Sequence, residues 1–323
     1  MLVPVLLFAL GLVLLIKGGD WFVDGATGIA RRFKLPELLI GATVVSIGTT
    51  LPEVMVSSQA ALEGISGISY GNAIGSIICN TSLIAAITIA VRPTSVNKDN
   101  LRFPVAFFFA VALIYAGVAY TTGYFNRIIG IIFLALFVGY MITTYIMMKK
   151  NPSLAEDEEE EEEAKEQPLW MELLLLVGGA VCIAFGARFL VDNGTLIAQA
   201  LGVPDSVIGL TMVALGTSLP ELVTAITSLV KGHSSLSVGN IIGANIFNIV
   251  LVSGAAITIN PFEVPAEKML FGINSSLLVD IPVMFAVMAT LCLPSIIEGK
   301  LKRWQGCILL AIYVAFTAYQ FVA

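Results

Sequence analysis

The chain repeats itself. Shifted by 168 residues, its first half falls on its second without a gap over a long stretch: Asp24 on Asp192, Pro36 on Pro204, Gly48 on Gly216, Glu53 on Glu221, Gly71 on Gly239 and Asn80 on Asn248. GATVVSIGTTLPE aligns with GLTMVALGTSLPE, and GNAIGSIICN with GNIIGANIFN. One register kept through so many marker residues identifies a fused duplication. Any fold the chain adopts must set two copies of one unit against each other.

The unit is a membrane unit. Of 323 residues 57% are hydrophobic and 12% charged, with a mean hydropathy of +0.92, whereas soluble domains carry about 25% charged residues. Apolar runs near the ~20 residues that cross a bilayer recur along the whole length. The first, MLVPVLLFALGLVLLIKGGDWF, has no basic stretch before it and a counterpart in mid-chain, so it reads as a membrane helix rather than a signal peptide. Helices are expected near 2–30, 38–62, 71–92, 103–121 and 125–148, then near 169–200, 206–230, 238–257, 280–297 and 304–322. The first and sixth are long and expected to tilt or bend near Gly18, Gly19 and Gly186. The chain divides into a five-helix repeat over 1–150, an acidic linker over 151–168 and a second repeat over 169–323.

Parity then sets the topology. Five crossings is an odd number, so the second unit enters the membrane from the opposite side. The fold class expected is an all-α membrane protein of ten transmembrane helices in two inverted repeats, an arrangement typical of secondary transporters. One side collects Arg31, Arg32, Lys34, Arg92, Lys98, Arg102, Lys149, Lys150, Lys165, Lys231, Lys300, Lys302 and Arg303; the other holds Arg127 and Lys268. The basic side is the cytoplasmic one, which places both termini outside a cell membrane and the linker inside. Much of the net charge of -6 sits in that linker, around Glu156 to Glu163. A carboxylate run of this kind is a solvated linker before it is anything else. Asp280 is expected to open the ninth helix near the interface, and Asp24 and Asp192 to reach water.

Cys79, Cys182, Cys292 and Cys307 all lie in apolar segments with no pairing pattern, and His233 is the sole histidine. Neither disulfides nor a zinc or haem centre is expected. No cofactor and no nucleic-acid partner are expected either.

The chemistry concentrates at Glu53 and Glu221, each in the middle of an apolar helix. An ionisable group there costs about 2.5–3.5 kcal/mol on insertion scales. A lone membrane glutamate can stay protonated or pair with a neighbouring helix. Two at matched positions of inverted copies meet near the midplane, where both cannot comfortably ionise without a cation. Ser46, Thr49 or Thr50, and Glu53 share a helix face, as do Ala214, Thr217 or Ser218, and Glu221. Pro52 and Pro220 remove the N–H that the carbonyls of Gly48 and Gly216 would need, so both helices are expected to break there. Carboxylate, hydroxyl and carbonyl oxygens suit a hard cation such as Ca2+ or Na+. Asn80 and Asn248, with Ser76 a turn before Asn80, add amide and hydroxyl oxygens. Gly71 with Gly75, and Gly239 with Gly243, let these helices approach closely.

GTTLPE and GTSLPE, each followed by GNxIGxxIxN inside a five-helix repeat, resemble the signatures of the calcium/cation antiporter superfamily, specifically its prokaryotic sodium/calcium exchangers. The resemblance covers essentially the whole chain. It implies Ca2+/Na+ exchange, alternating access by sliding of the first and sixth helices, and no nucleotide requirement. By matching motif positions it implies a central Ca2+ site of Glu53, Glu221, Thr49 and Thr217. It implies an outer Na+ site of the Ala214 carbonyl, Thr217, Ser218, Glu221 and Ser76, and an inner one of the Ser46 carbonyl, Thr49, Thr50 and Glu53. Ala244 stands where the family often has serine, and the Ser46 hydroxyl is the candidate to replace it. Asn248 stands where some members have aspartate, which argues against a K+-dependent exchanger. A Ca2+/H+ antiporter is the runner-up within transporters, because carboxylates also carry protons. A cation channel could use the same oxygens, but channels build filters by oligomeric symmetry, and here the site is internal to one chain. The unit expected to function is a monomer in a lipid bilayer.

Overall fold

The structure, a computed structural model, describes residues 2–150, 167–201, 216–266 and 269–322. Most of the acidic linker, Ala214 and Lys268 lie outside these residues, as does the N-terminal part of the seventh expected helix. The described chain is almost wholly helical: α1 (Leu2–Arg32), α2 (Glu37–Leu62), α3 (Ser66–Val91), α4 (Lys98–Thr121), α5 (Arg127–Lys150), α6 (Leu169–Ala200), α7 (Leu219–Val230), α8 (Ser234–Ile259), α9 (Ser276–Glu298) and α10 (Arg303–Val322). Eight of these are long and apolar enough to cross a membrane. Several begin earlier than the hydropathy does, because a polar turn caps them. At α4 the Asn97 side chain accepts the N–H of Asp99 at 2.9 Å, the usual role of asparagine at a helix start.

The repeats are related by a two-fold operation, and the contacts show it directly. Under the 168-residue shift Gly11 corresponds to Gly179 and Gly18 to Gly186. The observed contacts are crossed. A Cβ at Gly11 would lie 2.9 Å from the Gly186 carbonyl, and one at Gly18 would lie 3.0 Å from that of Gly179. Equivalent helices α1 and α6 thus run antiparallel with backbones touching, as inversion demands. Gly18 and Gly186, expected as bends, lie within continuous helices and form this seam. The connections repeat the exchange. Thr94–Ser95, after α3, pairs with Lys300–Leu301, while Phe262–Glu263, after α8, pairs with Tyr124–Phe125.

α3 and α8 are the most buried spans and form the centre. Gly239 meets the Leu38 carbonyl, and Gly243 meets Ala42 and Ser46, so α8 packs on α2 with no side chain between them. The partners that the register assigns to Gly71 and Gly75 fall among residues outside those described. Both central helices widen by one residue at the same place, through π-turns at Asn80–Ala85 and Asn248–Ser253. Such turns leave carbonyls badly matched to i+4 donors, and at Asn248 the Ser253 hydroxyl takes up the carbonyl at 2.9 Å. α2 uses the same device at Gly41–Val45, where Ser46 Oγ donates to Gly41 O at 2.8 Å.

Two local expectations are corrected. Pro52 does not break its helix: α-helical structure runs from Ser46 to Leu62 straight through it. The widened turn at Gly41–Val45 ends about two turns earlier. In the second repeat the interruption occurs where expected, with Thr217 and Ser218 in a turn and Pro220 in the first turn of α7. Asp280 closes a π-turn that begins at Ser276 instead of opening its helix, and it accepts a hydrogen bond from Gln320 at 3.1 Å.

Candidate cation site

α2 and α7 carry Glu53 and Glu221 into the interior, where both residues are 0% exposed. The two carboxyls are near enough to interact electrostatically, so the two-fold brings together what the repeat predicts. Among the described residues none of their four carboxylate oxygens has a hydrogen-bond partner. Thr50 Oγ1, Ser218 Oγ, Asn80 Oδ1 and both polar atoms of the Asn248 amide are likewise buried and unpartnered. The large majority of buried side-chain polar atoms are paired, and leaving one unmade costs about 1–3 kcal/mol. Several of these buried atoms without a partner fall on the repeat-related helices that carry the two glutamates, which makes this the candidate cation site. No group of three or more His, Cys, Asp or Glu gathers among the described residues.

All the expected residues but one can be placed. Thr49 and Thr50 are buried on α2 beside Glu53, and the Thr49 hydroxyl lies beside the Glu221 carboxyl. Ser76 and Asn80 are buried on α3. Cys79, next to Asn80, neighbours Ser218 and both glutamates. Ala214 lies outside the described residues. The Ser46 hydroxyl, the candidate to replace the one missing at Ala244, donates toward Gly41 O at 2.8 Å and Asn240 O at 2.9 Å.

The structure adds two residues that the sequence reading left inside its motif without a role, the GN asparagines Asn72 and Asn240. Thr49 Oγ1 donates to Asn240 Oδ1 at 3.1 Å, and Thr217 Oγ1 to Asn72 Oδ1 at 3.5 Å. These are the same contact under the two-fold, since Thr49 corresponds to Thr217 and Asn72 to Asn240. A hydroxyl that gives its proton to an amide oxygen turns its lone pairs the other way. Each repeat therefore sets the polarity of the other's threonine. The available signal was the strict repetition of GN in GNAIG and GNIIG.

A narrow crevice with no room for a water molecule borders the site. Phe22 of α1 and Ile183 of α6 form one wall, and Thr49, Pro52 and Pro220 the other. Here the antiparallel pair meets the two glutamate-bearing helices.

Comparison with known proteins follows the same lines. The family described as "Sodium/calcium exchanger protein" matches residues 3–146 and 171–322, one block per repeat. The sodium/calcium exchanger MaX1 of Methanosarcina acetivorans is 33% identical, over 98% of this chain and 98% of its own. The putative antiporter CaxA of Alkalimonas amylolytica is 36% identical over 100% of this chain and 99% of its own. A solved structure of the sodium-calcium exchanger NCX_Mj, soaked with Na+ and Sr2+, superposes with a TM-score of 0.81 at 32% identity, covering 98% of each chain.

Proposed function

The chain belongs to the sodium/calcium exchanger family, and from that membership we propose a secondary antiporter in which Ca2+ and Na+ compete for one cage between Glu53 and Glu221. The supporting observation is the set of four buried carboxylate oxygens on two-fold-related helices, none with a hydrogen-bond partner among the described residues. Two carboxylates carry a charge of about -2, which one Ca2+ or two Na+ neutralise, while three Na+ leave an excess. An empty, doubly charged cage resists occlusion because each buried ion costs several kcal/mol unpaired. The filled cage does not, and that difference couples the two fluxes.

The central Ca2+ ligands are the Glu53 and Glu221 carboxylates with the Thr49 and Thr217 hydroxyls. Ser218, Ser76 and the Ala214 carbonyl extend the cage for Na+ on the outer side, and Thr50 with the Ser46 carbonyl does so on the inner side. Asn80 and Asn248 close it along α3 and α8. α1 and α6 slide as one body past this site, opening the crevice beside Phe22 and Ile183 on alternate sides. The working unit is a monomer in a cell membrane, built of repeats over 1–150 and 169–323 with the linker 151–168 on the cytoplasmic side. Both termini face outward.

Hydroxyl and amide oxygens around the carboxylates favour Na+ over H+ as the coupling ion, since a proton needs the carboxylates alone. Uptake of 45Ca2+ into proteoliposomes separates the two. An outward Na+ gradient at equal pH is expected to drive accumulation, and a pH gradient without Na+ is not. Accumulation driven by the pH gradient alone would overturn the assignment.

A further inference from the structure

An amide offers two unlike faces to an ion. Asn80 can present oxygen, which attracts a cation, or NH2, which repels it. Its own surroundings decide between them, and the deciding atom lies three residues away along a chain of contacts. Met288 Sδ is a thioether and carries no hydrogen, so it accepts only. It takes the Thr81 hydroxyl proton at 3.3 Å. Having spent its proton, the Thr81 oxygen can only accept, and Asn245 Nδ2 donates to it at 2.7 Å and to Met288 Sδ at 3.2 Å. The Asn245 amide is thereby fixed with Oδ1 on its other side. That oxygen accepts from Asn80 Nδ2 at 3.3 Å, which leaves Asn80 Oδ1 turned away and, among the described residues, without a partner. All four residues are fully buried, so no solvent is present to scramble the order.

The relay exists once. The repeat equivalent of Asn245 is Ile77, and that of Thr81 is Ile249. Asn248, the counterpart of Asn80, accordingly has neither amide atom held among the described residues.

We infer that Asn245, backed by Thr81 and Met288, is a positioning residue that holds the Asn80 carbonyl oxygen toward the cation caged by Glu53 and Glu221. The inference rests on the cage proposed above. It assigns a ligand-orienting role to residues that touch no ion, and it makes Asn80 a fixed oxygen ligand where Asn248 is an adaptable one. Met288→Leu preserves volume and removes the acceptor on which the order depends.

The test is Na+-driven 45Ca2+ uptake by the full chain in proteoliposomes, with melting temperature measured alongside. Met288→Leu is expected to raise KM for Ca2+ by about fivefold, the effect of one lost hydrogen-bond-sized interaction, with Vmax and melting temperature little changed. Asn245→Leu is expected to do the same. Asn80→Ala is expected to raise KM at least as much, and adding Met288→Leu to it should change nothing further, because coupled residues are not additive. Two independent, multiplying effects would overturn the relay. So would a wild-type KM in Met288→Leu beside a raised one in Asn80→Ala, a result that leaves the cage standing. A wild-type KM in Asn80→Ala would remove Asn80 from the cage itself.

Discussion

The two halves of the molecule carry the same proline, glutamate and asparagine in the same order, yet they treat them differently. In the first, helix continues through Pro52 and Glu53 sits mid-helix. In the second, Thr217 and Ser218 form a turn and Glu221 sits in the first turn of α7. A carboxylate in a helix's first turn faces unpaired N–H groups and the positive end of the dipole, whereas one in mid-helix does not. The asparagine pair diverges too. Asn72 spends its NH2 on Glu53 O at 3.1 Å and Ser57 Oγ at 2.8 Å. Ala225 stands where the two-fold would put a second such serine, and the Asn240 NH2 has no partner among the described residues. The two-fold thus supplies a matched pair of acids, while single replacements around them make the two sides of the site unequal. An exchanger that handles two ions of different charge has use for that inequality.

The antiparallel pair shows the same divergence at its ends. Where the C-terminus of α1 meets the N-terminus of α6, Arg32 clasps Glu172 at 2.8 and 3.1 Å and also reaches Gln167 O. The equivalent positions at the other end are Ala200 and Pro4, which cannot pair. Lys231 ties the loop after α7 to Asp24 at 2.7 Å and Asp20 at 3.6 Å on α1. Its counterpart Glu63 accepts instead from Gln59 of its own helix, and Arg188 pairs with Asp192 within α6. Among the described residues, charge ties one end of the α1–α6 pair across helices and not the other.

Four experiments sharpen or break this comparison. Glu53→Gln and Glu221→Gln should each reduce Na+-driven 45Ca2+ uptake by at least about 100-fold, because one remaining carboxylate cannot balance Ca2+ in a buried site. Unequal activity, with either mutant still transporting well, would break the equivalence of the acids. Arg32→Ala should lower stability by about 2 kcal/mol, read as a lower thermal midpoint, since Glu172 is 6% exposed and left unpaired. Arg188→Ala at an exposed pair should change it by less than about 0.5 kcal/mol. Asn240→Leu should raise KM for Ca2+ by about fivefold by freeing the Thr49 proton toward the ion. Asn72→Leu should give a smaller rise in KM at the longer Thr217 contact and a larger loss of thermal stability, because the Glu53 carbonyl and Ser57 lose a donor. Lys231→Ala should alter Ca2+ KM about twofold, measured separately on the two faces of right-side-out and inverted vesicles, with the change on one face only.

The duplication, its register and the paired acids could be read directly, because a 168-residue shift preserves them letter by letter. The helices followed from hydropathy, and their inversion from parity. The π-turns at Asn80 and Asn248 could not be read: widening a turn by one residue leaves the apolar pattern of a buried helix unchanged. The intact helix at Pro52 was misread for a related reason. Proline removes one donor, but whether the helix parts there depends on how neighbours hold its two ends, and α8 packs tightly along α2 just before it. Asn72 and Asn240 were visible as letters of a motif, but their work is done across repeats, on residues more than 140 positions away. Asn245 had no repeat partner to draw attention to it.

Equilibrium 45Ca2+ binding to the purified protein, titrated with Na+, probes the shared cage most directly. A single Ca2+ per chain should be displaced competitively to zero by Na+, and both Glu53→Gln and Glu221→Gln should abolish it. Ca2+ that stays bound at saturating Na+, or that survives in either mutant, would mean the two ions occupy separate sites.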